Sequence, residues 1–420
     1  MRQKAVIGMS DMIESFIEEA RAVSLSVAAV TFERLAARGA EWTGPCPQMG
    51  GTDAYAVNVI KGVWNCRKCG TGGHDAISLA AHECGYDLSA RAGFLGACAA
   101  VLGRPVPDGE NSESAEEQRE REDRLAKARA EAEARAATAA KHKQYYRTKA
   151  MNKARGIYFG AALVRPGEGR TLREYLRLRT GHVMPEGVFE NIRCDLRHTY
   201  WHGIDQFGRP AHIYSGPAMI APFVDLSGKV LGCHETWIDL KVKPKRRPEI
   251  LDDDGATLPT KKMQGLHKGM IIPVLGDLTL KRWVVAEGIE NVAAVAGLER
   301  FRSDTFYCAA GSLGNLAGPA ANREKHPIQK RIDKRGVERS VFVDGPLPKP
   351  DADPASAFQA PEHVEELVLI GDGDSEPLMT AFAMKRAELR LSAPGRVVTT
   401  DWPPKTAGDF SELCMDGADG

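Results

Sequence analysis

The sequence predicts an α/β protein built on a parallel β-sheet, preceded by a small β module and an α+β segment. Two apolar runs indicate the sheet: RWVVA stands directly before Glu287, and LVLIG stands directly before Asp372. Each run has the length of a buried strand and ends in an acidic residue. Three cysteines, Cys46, Cys66 and Cys69, indicate the small β module.

The acidic strand ends form a candidate cation site. Glu287 is followed by Gly288 and a helical segment, and Asp372 and Asp374 flank a glycine. In an open parallel sheet the carboxyl ends of the strands meet at one crevice, so we expect these carboxylates to lie close together. Such a crevice suits Mg²⁺ or Mn²⁺, which take oxygen ligands and substrate phosphates. Taken singly, each acid has an alternative role as a helix N-cap.

This ordered pair of strand ends, over roughly Leu280 to Leu413, resembles the Toprim domain of bacterial-type primases, type IA and type II topoisomerases and OLD-family nucleases. The resemblance implies that Asp372 and Asp374 hold Mg²⁺ and that Glu287 is a metal ligand or general acid/base. Asp409, in Gly-Asp-Phe, matches the acidic residue near the end of phage-type Toprim primases, and its alternative role is the N-cap of the last helix.

Length and composition limit the class of protein. A chain of 420 residues with 43% hydrophobic residues has room for two or three domains. The absence of a long apolar run or signal-peptide core predicts a soluble cytoplasmic protein without a membrane partner. Nine cysteines in such a chain favour metal binding over disulfides. Basic and acidic residues balance at 56 each, so a basic surface for nucleic acid must be local.

The composition changes along the chain and predicts four segments. The run rich in Ala, Glu, Arg and Lys has high helix propensity without an apolar seam, so we interpret it as a solvated helical spacer. The segments are a helical lead-in with a zinc-ribbon domain (1–103), a charged helical linker (104–149), an α+β catalytic subdomain (150–279) and the Toprim domain (280–420) with a Pro-rich insertion (319–362).

The cysteine spacing predicts a zinc ribbon, in which two tight turns bring ligands to one tetrahedral ion. The module resembles the zinc-binding domain of DnaG-type primases, whose pattern is Cys-x2-His, a strand-rich spacer, Cys-x2-Cys and a Gly-Gly-Asp turn into a helix. Met49 stands where that pattern has its second ligand, and a thioether is a poor zinc ligand. The fourth position is left to His74, which is extra in the turn, or to His82, Cys84 or water.

Two groups of residues are candidates for nucleic-acid contact. In the zinc module, Trp64 offers a stacking face, and Arg67 and Lys68 offer phosphate contacts. In the α+β segment, KVKPKRR holds five basic residues before the acidic crevice, where basic loops bind phosphate backbones. These five are Lys241, Lys243, Lys245, Arg246 and Arg247.

Together these features predict a DNA primase of a phage, plasmid or integrated element, similar to phage-type and mobile-element primases. Such an enzyme makes short RNA primers on single-stranded DNA from nucleoside triphosphates, by metal-dependent nucleotidyl transfer. The chain lacks a Gly-x4-Gly-Lys-Ser/Thr loop, so we expect a replicative helicase to be supplied in trans. The alternatives are a Toprim-type nuclease or other DNA-processing enzyme, and a non-catalytic DNA-binding adaptor.

Overall fold

The computed structural model describes residues 9–31, 35–38, 41–107, 115–332, 336–373 and 375–415. The chain forms two compact units, Met1–Lys143 and Gln144–Gly420. None of the described helices combines the length and the apolar character that crossing a bilayer requires.

The first unit is a small antiparallel sheet covered by helices. Its strands pair in chain order, β1-β2-β3-β4-β5. Alternate residues of β3 and β4 face inward, so that Tyr55 and Val57 pack with Trp64 and Cys66 in one core. The elements are α1 (Met9–Ala22), α2 (Leu25–Thr31), β1 (Ala36–Arg38), β2 (Glu41–Cys46), β3 (Gly50–Asn58), β4 (Val63–Cys66), β5 (Thr71–Gly73), α3 (Ala76–Cys84) and α4 (Arg91–Leu102).

A 46-residue helix, α5 (Ala115–Gly160), follows and carries most of the charged run. Its final turns differ from the rest because Ala154 and Tyr158 recur on one face and enter a hydrophobic core of the second unit. The Tyr158 hydroxyl donates to the carbonyl of Asn191 at 2.8 Å. The end of the helix is therefore part of the second unit.

The second unit combines two main sheets with helices and a hairpin. Its elements are α6 (Arg170–Thr180), β6 (Arg193–Ile204), β7 (Pro210–Val224), β8 (Val230–Trp237), β9 (Ile250–Leu251), β10 (Thr257–Leu258), β11 (Lys261–Gly265), β12 (Ile272–Leu275), β13 (Arg282–Ala286), α7 (Ile289–Leu298), β14 (Thr305–Ala309), α8 (Leu313–Ala317), β15 (Arg323–Ile332), β16 (Glu338–Asp344), β17 (Glu366–Ile370), α9 (Pro377–Leu391), β18 (Val397–Asp401) and α10 (Phe410–Met415).

The first of these sheets is antiparallel, in the order β11-β8-β7-β6, and both of its faces are covered. On β7, Met219 and Ala221 point into the core shared with the parallel sheet, whereas Ala218 and Ile220 point toward the end of α5. The alternation is that of a strand whose successive side chains point to opposite faces. The tight turn Asp225–Lys229 joins β7 to β8, as the Ser-Gly pair predicts.

The second sheet has the order β12-β14-β13-β17-β18, with four neighbouring strands parallel and β12 antiparallel at one edge. Its central strands are buried on both faces because Val284 and Val368 pack beneath α7, while Trp283 and Leu367 pack beneath α9. This confirms the mixed α/β class, and the structure pairs β14, β13, β17 and β18 in parallel.

A two-stranded antiparallel hairpin, β15-β16, occupies the predicted insertion between β14 and β17. Most of β15 is exposed, but His326 is buried, and its Nε2 lies 3.0 Å from a carboxylate oxygen of Glu376. Glu376 also caps α9 by accepting a hydrogen bond from the backbone N–H of Met379. The hairpin is thus attached to the start of the helix that follows Asp372.

Candidate functional site

Four potential metal ligands meet in the first unit. Each of Cys46, Cys66, Cys69 and His82 contributes one ligand atom, and these atoms all lie within 4.8 Å of one another. Cys46 ends β2 and Cys66 ends β4, and Cys69 lies in the turn that leads to β5. His82 is supplied by α3, whose first turn is fixed by the Asp75 side chain accepting from the backbone N–H of Ser78.

The thiols interact closely with each other and with the backbone. The sulfurs of Cys46 and Cys69 are 3.3 Å apart, and the backbone N–H of Met49 donates to the Cys46 sulfur at 3.2 Å. Burial opposes ionisation of Cys46, but hydrogen bonds from Cys69, Gln48 and Met49 outweigh it and lower the pKa of the Cys46 thiol. The same contact with Cys46, reinforced by burial, raises the pKa of Cys69 to about 12. Of these two hydrogen-bonded thiols, Cys46 is therefore the more readily ionised.

The His82 imidazole completes the cluster. Its Nε2 atom is buried and has no hydrogen-bond partner among the described residues. The ring stacks on Trp64, with centroids 4.9 Å apart and an interplanar angle of 24°, and it lies tilted beside the Tyr55 ring at 5.2 Å between centroids. Burial lowers the pKa of His82, which favours the neutral form that binds metals.

This donor set fits zinc. Three thiols and one neutral imidazole are a common structural zinc site, and a tetrahedral zinc ion keeps its ligand atoms roughly 3.5 to 3.8 Å apart. The orphaned Nε2 of His82 also acquires a partner when such an ion is bound. We therefore identify Cys46, Cys66, Cys69 and His82 as a possible zinc site.

The structure corrects the prediction for the fourth ligand. His74 is exposed in the turn before α3 and is not part of the cluster, and Cys84 is also exposed. His82 reaches the cluster because it lies on the same face of α3 as Ala76 and Leu79, and that face packs against the ribbon core. Met49 is 59% exposed and contributes its backbone N–H rather than its thioether.

Glu287 and Asp372 leave adjacent parallel strands at the same edge of the second sheet. Glu287 follows β13 and Asp372 follows β17 after one glycine, and the register pairs Val285 with Leu369. Two residues beyond that pair, Glu287 lies level with Gly371, one position before Asp372. The third predicted acid, Asp374, lies outside the described residues.

Asp409 caps α10. Its Oδ1 accepts hydrogen bonds from the hydroxyl of Ser411 at 2.8 Å and from the backbone N–H of Glu412 at 2.6 Å. The preceding loop lies against Gly373, since a Cβ at Gly373 would come within 2.6 Å of the Gly408 carbonyl oxygen. The structure shows the capping role beside the Asp372 loop, and the metal role of Asp409 stays a prediction.

The structure corrects three of the predicted nucleic-acid contacts. Trp64 is only 5% exposed and is stacked on His82, so neither face is available to a base. Arg246 is 7% exposed and donates to the carbonyl of Leu240. Arg247 is committed to an internal ion pair with Glu290 at 2.8 Å. Basic residues are mostly exposed, so the run KVKPKRR gives no sequence signal for the burial of its two arginines.

The other predicted contacts are exposed. Arg67 reaches the Asp53 carboxylate at 3.2 Å, and Lys68 donates to the Met49 carbonyl, so both lie beside the cysteine cluster. Lys241, Lys243 and Lys245 are exposed in the turn that follows β8. Their role in binding nucleic acid stays a prediction.

A buried ionic cluster around Glu290 lies next to the edge of the second sheet that carries Glu287 and Asp372, which we call the acidic edge. Glu290 is 3% exposed and accepts from Arg247 at 2.8 Å, Lys261 at 3.0 Å and the Tyr175 hydroxyl at 2.7 Å. Burial opposes its ionisation, but Lys261, Arg247 and the nearby Arg179 outweigh this and hold the pKa of Glu290 well below its usual value.

The Glu290 cluster joins the antiparallel sheet and α6 to the start of α7. Its ion pairs fix the helix that begins immediately after Glu287 and Gly288. The available signal was the acid at the second position of a helix whose other residues, apart from Asn291, are apolar or glycine, IENVAAVAGL.

Comparisons with known proteins do not assign a family. No protein-family model matches the chain, and no curated protein matches it. Among solved structures, the zinc-binding and RNA polymerase domains of the Aquifex aeolicus primase align over 96% of this chain and 83% of that one, with 14% identity and a TM-score of 0.34. The primase fragment of the bacteriophage T7 primase-helicase protein aligns over 89% and 94%, with 12% identity and a TM-score of 0.26.

Proposed function

We propose that this protein is a primase-like nucleotidyltransferase that makes short RNA primers on single-stranded DNA from nucleoside triphosphates. The observation that carries the proposal is the placement of Glu287 and Asp372 at the carboxyl ends of adjacent parallel strands. A chain with this acidic edge also contains a three-cysteine, one-histidine cluster in a separate unit. The two features together favour a primase over other enzymes that use an acidic sheet edge.

Each acidic residue has a distinct role in the proposal. Asp372 and Asp374 hold Mg²⁺ or Mn²⁺, which when bound neutralises the phosphates and stabilises the attacking and leaving oxygens. Glu287 acts opposite them as a ligand or as general acid/base. The Glu290 ion pairs keep α7 and therefore the Glu287 backbone in place, and the Glu287 carbonyl accepts from Gly311 at 2.8 Å.

The remaining predicted residues bind the template. Arg67 and Lys68 present positive charge beside the cysteine cluster, and Lys241, Lys243 and Lys245 present it in the second unit. Such contacts act on phosphates and carry no sequence information of their own. A helicase supplied in trans provides the single strand, and the host is a phage, plasmid or integrated element.

The test is primer synthesis by the purified chain. Labelled ribonucleotides, Mg²⁺ and a single-stranded DNA template are supplied, and Asp372→Asn is compared with the wild type. We expect the variant to lose at least 100-fold in synthesis, because an amide is a much weaker ligand for Mg²⁺ than a carboxylate. Asp304→Asn is the matched control, since Asp304 is exposed before β14 at the opposite edge of the sheet.

Two outcomes contradict the proposal. If Asp372→Asn makes primers as fast as the wild type, the acidic edge does not take part in the chemistry. DNA cleavage that depends on Asp372, in the absence of synthesis, identifies the nuclease alternative instead.

A further inference from the structure

A cavity of about 390 Å³ lies in the second unit between the last turns of α5 and the antiparallel sheet. It is on the face of that sheet opposite the Glu290 cluster. Successive residues of β11 show this, because Lys261 binds Glu290 whereas Lys262 lines the cavity. The cavity therefore belongs neither to the acidic edge nor to the cysteine cluster.

The wall formed by β8 carries a buried carboxylate with an unused acceptor. Glu235 is 3% exposed, and its Oε1 has no hydrogen-bond partner among the residues described. Its Oε2 lies 3.6 Å from Nε2 of His198, whose Nδ1 lies 3.2 Å from the Asp195 carboxylate. Burial opposes protonation of His198, but the two carboxylates raise its pKa. The His198 ring thus lies between two carboxylates, and the Glu235 Oε1 remains a buried oxygen that requires a donor.

The opposite wall is the surface of α5, where two glycines leave the helix backbone open. Gly156 and Gly160 lie one turn apart on α5, and both line the cavity. A Cβ at either glycine would meet no atom within 4 Å, so close packing within the protein does not require them. Glycine inside a helix is destabilising relative to alanine. The space they leave lets a flat ligand approach the helix backbone.

The rim combines an aromatic surface with positive charge. Trp201 is 50% exposed, and Lys262 is held over the Tyr200 ring at 3.4 Å while donating to the Trp201 carbonyl. Lys153 and Arg197 are exposed and also line the cavity. A flat ring with hydrogen-bond donors fits the interior, and an attached phosphate fits the rim.

We propose that this cavity binds the guanine base of a nucleotide, with its donor edge on Glu235 and its phosphate near Lys153 and Lys262. Guanine presents an N–H and an adjacent amino group side by side, which matches a carboxylate that only accepts. Uracil and thymine flank their single N–H with carbonyl oxygens, which a carboxylate repels. The volume is within the range of small-molecule sites. The site does not depend on the proposed polymerase activity.

The experiment is calorimetric titration of the full chain with guanosine 5′-monophosphate, with uridine 5′-monophosphate as the comparison. We expect one site per chain and at least tenfold weaker binding of the uridine nucleotide. Glu235→Gln is expected to weaken guanosine binding at least tenfold, because the amide presents a competing donor.

A second variant separates loss of the site from loss of the fold. Gly156→Leu fills the open space with a residue that favours helix, so it is expected to fold and to abolish binding. Asn152→Leu, at an exposed α5 position outside the cavity, is the matched control and is expected to bind like the wild type. Asp372→Asn is also expected to bind normally, which separates this proposal from the proposed function.

The source of the base is decided by a further comparison. A thymidine oligonucleotide with one central guanosine is titrated beside an all-thymidine oligonucleotide. A preference for the first that is lost in Gly156→Leu identifies a strand as the source, whereas binding of the mononucleotide alone identifies a free nucleotide. The proposal is overturned if neither the guanosine mononucleotide nor the guanosine-containing oligonucleotide binds. It is also overturned if Gly156→Leu binds guanosine as tightly as the wild type does.

Discussion

His74 and His82 stand before and within α3, and only His82 brings an imidazole nitrogen into the cysteine cluster. The sequence alone left both open because the family pattern that the module resembles places its histidine beside the first cysteine. What decides between them is the helical phase of α3, which is set by the Asp75 cap. A metal ligand on a helix is identified by the face that the helix buries. The number of residues between that ligand and a cysteine does not identify it.

This assignment predicts different outcomes for the two histidines. His82→Ala is expected to lose zinc to a chelator at least tenfold faster than the wild type, because the tetrahedral set becomes incomplete. His74→Ala is the matched control and is expected to retain zinc normally. Zinc release is followed with a colorimetric indicator, and equal rates for the two variants would exclude His82 as a ligand.

Glu290 makes a second prediction at the scale of single residues. Glu290→Gln leaves Arg247 and Lys261 without their buried partner, so we expect a loss of about 3 to 5 kcal/mol in the free energy of unfolding. Glu365→Gln removes an exposed pair with Lys281 and is expected to cost less than about 1 kcal/mol. Urea denaturation monitored by circular dichroism measures both.

The direction of the Glu290 pKa shift also fixes a pH dependence. The folded-state pKa lies below the unfolded value of about 4.3, so this stabilisation is present above that pH and is lost as the pH falls through the folded pKa. The wild type is therefore expected to lose more stability than Glu290→Gln on acidification below about pH 4. Parallel losses in the two proteins would contradict the assignment.

At the scale of helices and strands, a strand is recognised in the sequence when the sheet that contains it is buried on both faces. The strands at Arg282–Ala286, Thr305–Ala309 and Glu366–Ile370 were predictable because each is a continuous apolar run in a covered parallel sheet. In the hairpin, the apolar residues of SVFVD mark β16 as a strand, but β15 has no such signal. β15 is polar and exposed apart from His326, so neither apolar periodicity nor run length marks it.

The cap of α10 gives a prediction at this scale. Asp409→Ala is expected to cost about 0.5 to 2 kcal/mol of stability, whereas Asp409→Ser is expected to remain close to the wild type because serine caps equally well. If capping is the only role of Asp409, the serine variant also retains primer synthesis. Unchanged stability with lost synthesis would instead support the metal role that the resemblance implies.

At the scale of the whole molecule, the cysteine cluster and the acidic edge belong to different compact units. Each unit has its own hydrophobic core, in which Tyr55 and Leu79 stabilise the first and Val284 and Val368 the second. The sequence indicated this division through the charged run before residue 150. The burial of Arg246 and Arg247 was not predictable, because it depends on tertiary contacts between segments far apart in sequence.

Separate cores predict separable functions. Cys66→Ser is expected to release zinc and to weaken binding of single-stranded template at least tenfold, because the ribbon that presents Arg67 and Lys68 depends on its metal. Extension of a preformed primer on its template is expected to stay within about threefold of the wild type, because Asp372 and Glu287 lie in a unit with an independent core.

Cys98→Ser, at a buried cysteine of the first unit outside the cluster, controls for the substitution itself. Metal analysis, fluorescence anisotropy with labelled DNA and primer extension measure the three properties on the same samples. The separation would be contradicted if Cys66→Ser lost primer extension while Cys98→Ser kept both its zinc and its primer extension. That result would show that the cysteine cluster is required for the chemistry itself.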